Sequence, residues 1–290
     1  MPLKNLLCDE PLSRHTTFKV GGPAKFFVVA DDIKELEAAF DLARRNKLPH
    51  IVIGAGSNIL CSDYGFSGVV IKLGKFFEKV TIEENKISAG AAIRLTRLTQ
   101  LAQEEGLAGL SFAVGIPGTL GGAIYVNAGA YNRSIGQLVK NISLYKSKLE
   151  VETIDASRID FGYRRCLLPS EGIIIGATLQ LERGDRKGIR REMEEFRQRR
   201  RLSQPISSLS AGSVFRNPEG AHAASLIEEA GCKGLREGDA VVSEIHANFI
   251  VNEGNAKAQD IYQLMMLVRE KVHHKFGLVL EPEIQMVGKF

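Results

Sequence analysis

The sequence predicts a mixed α+β chain in which a charged helix separates a longer N-terminal part from a compact C-terminal α+β module. Three observations carry this. The chain opens in a βαβ-like way: a β-rich run at 25–30, an amphipathic helix and the short apolar run 50–53. Short strand patterns then recur from 69 to 182, punctuated by glycines. Finally, composition changes at 186–202, where arginines and glutamates crowd a helix closed by Pro205.

Asp31 and Asp32 suit the N-cap of the first helix, where Ile33, Leu36, Phe40 and Ala43 recur at helical spacing, and Pro49 marks its exit. The strand at 50–53 runs into Gly54, Ala55, Gly56, Ser57, Asn58, Ile59 and Leu60, which match only the first half of Gly-x-Gly-x-x-Gly. Ile59 stands where the third glycine belongs and no clear helix follows, so the dinucleotide fingerprint fails its context test. Residues 64–68 read as a turn. Residues 69–73, 79–82 and 86–90 read as strands, the last two joined by a hairpin turn at 83–85. The next helix carries Leu95, Leu98, Leu101 and Ala102 on one face and stops at Gly106.

A glycine-rich stretch follows. It runs through Ala113, Gly115, Ile116, Pro117, Gly118, Gly121, Gly122 and Ala123 to Asn127, Ala128 and Gly129. Glycine permits positive φ and close approach, and successive amides in such a loop can cradle an anion. A plain turn between buried strands is the competing reading. Strands at 141–145, 150–154 and 173–182 complete this part. Beyond residue 203 come a short helix with Ala224, Ile227 and Ala230, stopped by Gly231, and a strand at 248–252. A longer helix, with Asn255 as its expected cap, turns Ile261, Leu264, Met265, Val268 and Val272 inward and ends at Gly277.

The 290 residues are 44% hydrophobic and 25% charged, as in an ordinary soluble protein. No apolar run is long enough to span a bilayer, and the first residues lack the apolar region of a signal peptide, so a cytoplasmic location is expected. The net charge of +4 sits mainly at 183–201, where acidic residues are interleaved and no aromatic platform accompanies them. Neither nucleic acid nor membrane is therefore an expected partner. Cys8, Cys61, Cys166 and Cys232 are scattered, which indicates neither a zinc site nor a disulfide framework. His273 and His274 are adjacent and so turn to different helix faces, and no metal is expected.

Six motifs in order now become informative. They are 17–23, 54–60, 115–123, 161–165, 211–218 and 280–283. Together they resemble the UDP-N-acetylenolpyruvoylglucosamine reductase (MurB) family over about residues 15–287. The resemblance implies an FAD-binding fold of the vanillyl-alcohol-oxidase (PCMH) type, with subdomains at 1–70 and 71–202. A substrate-binding α+β domain would span 203–280, and residues 281–290 would return to the active site. It implies non-covalent FAD, NADPH as co-substrate, a UDP-sugar substrate and a monomer. Both glycine loops would hold the diphosphate through backbone amides, with Asn127, Ala128 and Gly129 passing close to the flavin.

In the family's reaction NADPH reduces FAD and leaves; hydride then reaches the vinyl carbon of an enolpyruvyl ether, and a proton reaches its neighbour. The resemblance gives Arg164 the substrate carboxylate, Ser213 the proton delivery, and Glu283 the support of the enolic carboxylate, with a raised pKa. Alternation along an extended strand does not separate Glu283 from Glu281; only the family match selects it. Tyr163, Arg216, Asn217, His246 and Asn248 become substrate contacts. No tyrosine lies between Arg164 and Ser213, so the chain resembles the type II branch, which lacks an extra substrate-covering loop. Another FAD-linked oxidase of the same fold, or a non-catalytic nucleotide- or nucleic-acid-binding protein, are the rival readings.

Overall fold

Asp32 opens helix α1 (Ile33–Arg45) by accepting the Glu35 N–H at 2.8 Å, and Glu35 returns the favour by accepting the Asp31 N–H at 2.9 Å. Two donors of the first turn region are thereby satisfied by side chains. Leu36, Ala39 and Ala43 bury the inner face, while Ile33 and Phe40 of the expected stripe are only partly buried. This computed structural model describes residues 3–290.

The chain forms two units, neither continuous in sequence. The first comprises Met1–Leu7, Phe27–Ala55 and Val69–Arg199; the second comprises Cys8–Phe26, Gly56–Gly68 and Arg200–Phe290. The expected divisions at 70, 202 and 280 follow the chain instead, and 203–280 and 281–290 both fall in the second unit. The first glycine loop itself changes units between Ala55 and Gly56.

In the first unit a five-stranded antiparallel sheet runs in the order Val151–Asp155, Val139–Tyr145, Ile173–Gln180, Lys86–Gly90, Val80–Glu83. Its core joins Ile142, Leu144 and Leu179 of the sheet to Leu98 of α2 (Leu95–Glu104) and Ile124 of α3 (Leu120–Tyr125). Met193 and Phe196 of α4 (Arg186–Ser203) join the same core. The strand His50–Ile53 pairs in parallel with Phe66–Leu73, which begins within the segment expected to be a turn. α3 lies inside the glycine stretch, where no helix is expected from sequence. Thr119 caps it, and burial of Leu120 and Ile124 holds it despite two glycines.

The second unit packs α5 (Ala223–Glu229) and α6 (Ala258–Phe276) around Phe18, Leu60, Phe215, Ile227, Leu264 and Val272. A three-stranded antiparallel sheet, Arg236–Glu237, Ala240–Val242 and Ile250–Asn252, lies in the same unit. Ile59–Cys61 pairs in parallel with Gln285–Val287. Asn255 does not cap α6. The Asp63 carboxylate accepts the N–H groups of Ala258 and Gln259, both at 2.9 Å. An ionised group at a helix N-terminus is a stronger acceptor than an amide and also complements the dipole. No helix among the described residues is long and apolar enough to cross a membrane.

Candidate active site

In the second unit the segment around Ser213 is built by backbone pairing with the C-terminal segment. Glu283 donates its N–H to Val214 O at 2.7 Å, Arg216 donates to Glu281 O at 2.9 Å, and Phe215 and Pro282 form an antiparallel bridge. Ser213 and Glu283 thus flank one backbone hydrogen bond. Gly212 precedes Ser213 at φ +77°, with open space where a Cβ would stand, so conformation rather than crowding favours glycine there. Ser213 is half-buried, and its hydroxyl bonds to no other described residue. Burial separates the two glutamates that alternation leaves tied. The Glu281 side chain is 76% exposed, 4.0 Å from Arg216, whereas Glu283 is half-buried.

Asn248, an expected substrate contact, uses its side chain on the backbone of Phe215. It is buried, accepts the Phe215 N–H at 2.9 Å and donates to Phe215 O at 2.8 Å, while its own carbonyl accepts from Val214 N at 2.8 Å. One carboxamide stands in for a missing neighbouring strand. His246 Nδ1 accepts the Asn248 N–H at 3.3 Å, and its ring meets Phe249 edge-on at 4.8 Å. Burial lowers its pKa from the ordinary value, its own backbone hydrogen bond opposes this and the Lys233 charge adds to it; with Nδ1 accepting, the neutral ring carries its proton on Nε2. Asn217 is exposed, and its Oδ1 accepts the Ala223 N–H at the start of α5.

Asn58 ties the first glycine loop to this segment. Its carboxamide donates to Glu283 O at 3.3 Å and its carbonyl accepts from Gln285 N at 2.9 Å. Ile59 and Leu60 are strand residues, and Leu60 is fully buried, which removes its side chain from any cofactor. The amides of Ala55, Gly56 and Asn58 donate to no other described residue. A Cβ at Gly56 would collide with the His15 carbonyl. These open donors, in a loop with no room for a side chain at Gly56, fit a phosphate group.

The second glycine stretch fits less of the expected role. Leu120, Gly121 and Ala123 donate their N–H groups to the carbonyls of Ile93, Ala91 and Thr119 at 2.8–2.9 Å, and Gly122 faces Thr119 Oγ1 at 3.4 Å. Those amides are therefore taken by the fold. Gly121 is needed against Ala91, where a Cβ would come within 2.8 Å, and Gly129 is closed in by Arg133. Ala113 and Ala123 are buried. Gly115, Ile116, Pro117 and Gly118, with Gly122, form the surface of the stretch. Thr119, outside the set of expected site residues, caps α3 and lies against Gly54; a threonine directly before Leu120 is its signal in the sequence.

Arg164 also belongs to the first unit. Asp160–Gly162 and Arg165–Leu167 form a hairpin whose two-residue loop is Tyr163 and Arg164. Arg164 has φ +51°, and its guanidinium lies 5.3 Å from the Tyr163 ring centroid. The buried Asn127 carboxamide donates to Gly162 O at 2.8 Å and accepts from Gly136 N at 2.9 Å. Asn127 thus braces the hairpin.

Residues 204–287 match the family model described as UDP-N-acetylenolpyruvoylglucosamine reductase, C-terminal domain, and 24–147 match the FAD binding domain. The chain is 41% identical to the UDP-N-acetylenolpyruvoylglucosamine reductase of Alkaliphilus oremlandii, over all of this chain and 95% of that protein. The solved MurB structure from Thermus caldophilus superposes with a TM-score of 0.85 at 34% identity, covering 98% of both chains. Wild-type Phl p 4.0202, a glucose dehydrogenase, shares the fold alone: TM-score 0.51 at 13% identity over 64% of this chain and 43% of that one. With relatives this similar along its whole length, the chain belongs to the UDP-N-acetylenolpyruvoylglucosamine reductase family.

Proposed function

We propose that this protein reduces UDP-N-acetylglucosamine enolpyruvate to UDP-N-acetylmuramate with NADPH, by way of non-covalently bound FAD, in peptidoglycan precursor synthesis. The observation that carries this is the pairing of 214–216 with 281–283, which puts Ser213 and Glu283 beside one backbone hydrogen bond inside the region matching the family's C-terminal domain. FAD, when bound, supplies the hydride relay from NADPH to the vinyl carbon.

The chain's own residues answer the charge that follows. Negative charge builds on the carbon next to the substrate carboxylate and spreads into that carboxylate. Arg164 offers a planar, permanently charged fork for it, fixed in place before the charge appears. Glu283, in its acid form, donates a hydrogen bond to the enolic oxygen. Ser213 delivers a proton to the carbon; a hydroxyl is a weak acid, but a carbanionic carbon is a strong base and the hydroxyl has no competing partner among the described residues. Neutral His246, with its Nε2–H, and Tyr163, Arg216 and Asn217 complete the contacts proposed for the UDP-sugar. The enzyme works as a cytoplasmic monomer.

Anaerobic titration tests the assignment. NADPH bleaches the visible flavin band, and UDP-N-acetylglucosamine enolpyruvate restores it. Flavin that stays reduced after the sugar is added overturns the proposal.

A further inference from the structure

Lys72 and Arg94 are two cations outside the set of expected site residues. Lys72 follows the apolar run 69–71, and its partner on the parallel neighbouring strand is Ile53, the residue before Gly54. Ligands of parallel sheets sit beyond the carboxyl ends of the strands, and Lys72 and Gly54 stand at that end. Arg94 bridges to Thr119, and Thr119 Oγ1 would lie 2.5 Å from a Cβ placed on Gly54. A single run of neighbours therefore links Lys72, Ile53, Gly54, Thr119 and Arg94.

Neither cation has a carboxylate within ion-pair distance among the described residues. Lys72 is half-buried, and its pKa is pushed down first by that burial and then by the Arg94 charge. Like charges held together without a counter-ion weigh against the empty fold, and an anion seated beside them removes that weight. The amides of Leu120, Gly121 and Ala123 cannot supply the positive end of such an anion site, because they already donate to backbone carbonyls.

We propose that Lys72 and Arg94 form the cationic wall of the diphosphate site and contact a phosphate of the flavin dinucleotide where the chain turns at Gly54. The proposal deepens the FAD reading and rests on it.

The full-length protein purified with its flavin is compared with Lys72→Gln, Arg94→Gln and Lys72→Arg. Free flavin fluorescence is followed after dilution into increasing NaCl, and thermal midpoints are taken with and without flavin. Lys72→Gln is expected to release FAD about tenfold faster, the scale of one charge-assisted contact. Arg94→Gln, at an exposed and screened position, has a smaller effect. Lys72→Arg retains the flavin. Without flavin, the midpoint of Lys72→Gln does not fall, because a repulsion has gone.

Unchanged flavin release in Lys72→Gln overturns the proposal. So does retained flavin with a raised Kd for UDP or NADP⁺, which assigns the phosphate to a substrate. A fall in the flavin-free midpoint that Lys72→Arg does not rescue makes Lys72 structural. Wild-type protein that holds no flavin overturns the FAD reading itself, before any variant is compared.

Discussion

Asn127 donates its carboxamide N–H to the carbonyl of Gly162, 2.8 Å away, and Gly162 is the last strand residue before the turn that carries Arg164. The same carboxamide holds the Gly136 N–H. Asn127 itself has φ +45°, which asparagine tolerates better than most side chains. Asn127→Ala leaves two partly buried backbone groups, Gly162 O and Gly136 N–H, without this partner, at up to about 1–3 kcal/mol, and frees the hairpin. Misplacing a substrate-holding group by an ångström lowers turnover by about 10²-fold. The expected result is a lower thermal midpoint, normal flavin content, normal reduction by NADPH and slow reoxidation by the UDP-sugar. Stopped-flow measurement of both half-reactions checks it; a defect confined to flavin content would return Asn127 to the cofactor.

Arg164 has the same left-handed backbone with less excuse for it, at φ +51°. A side chain there costs roughly 1–2 kcal/mol that glycine would not. Arg164→Gly is therefore expected to keep or raise the thermal midpoint while abolishing reoxidation by substrate. Stability and activity moving in opposite directions is what a strained functional residue predicts. Loss of both together in calorimetry and stopped-flow would make Arg164 a structural residue.

The elements set by local pattern were legible in the sequence. α1, α2 and α6 follow their apolar spacing, and Gly106, Gly231 and Gly277 end helices with positive φ. What was not legible is carried by distant partners. Asp63 caps a helix 195 residues away, and Asn58 holds Glu283 across 225. No local window contains both halves of either contact. α3 was hidden for the same reason: glycines argue against a helix, and its first two donors, Leu120 and Gly121, are met by the distant Ile93 and Ala91. Of the site, the motifs singled out Ser213, Glu283, Asn127 and Asn248 alike, because a motif marks that a residue matters without saying which way its side chain faces; both asparagine carboxamides bond backbone groups. Lys72 did leave a signal, a lone lysine inside an apolar strand.

Ser213→Ala separates chemistry from binding. Its hydroxyl bonds to no described residue, so removing it disturbs little of the fold. Reduction of the flavin by NADPH should be unchanged, and reoxidation by the UDP-sugar should fall by about 10²–10⁴-fold, the usual contribution of a positioned proton donor. Equal loss in both half-reactions would assign Ser213 to the fold.

Asn248→Ala tests the brace rather than the chemistry. It strips partners from both the N–H and the carbonyl of the buried Phe215. Each unsatisfied group costs about 1–3 kcal/mol, so a fall of several degrees in the thermal midpoint is expected. Asn248→Asp keeps the acceptor for Phe215 N–H but sets an oxygen against the Phe215 carbonyl, and should recover little. A variant with wild-type stability and a raised KM for the UDP-sugar would instead make Asn248 a substrate contact.

His246 gives the stability a pH dependence whose direction is set by its environment. Its pKa is lowered from the ordinary 6.5, chiefly by burial and further by Lys233, with Glu228 opposing. Well above 6.5 the ring is neutral in both folded and unfolded chains and contributes no slope. As pH falls below 6.5, the unfolded chain binds a proton that the folded one refuses, so stability is lost until the lowered native pKa is passed. His246→Gln removes that proton from both states. The difference in thermal midpoint between wild type and variant should therefore shift in the variant's favour as pH drops through this window and stay flat above it. A difference that is constant with pH would mean that His246 is as readily protonated in the folded protein as in the unfolded chain, and the neutral Nε2–H donor proposed for the substrate site would go with it.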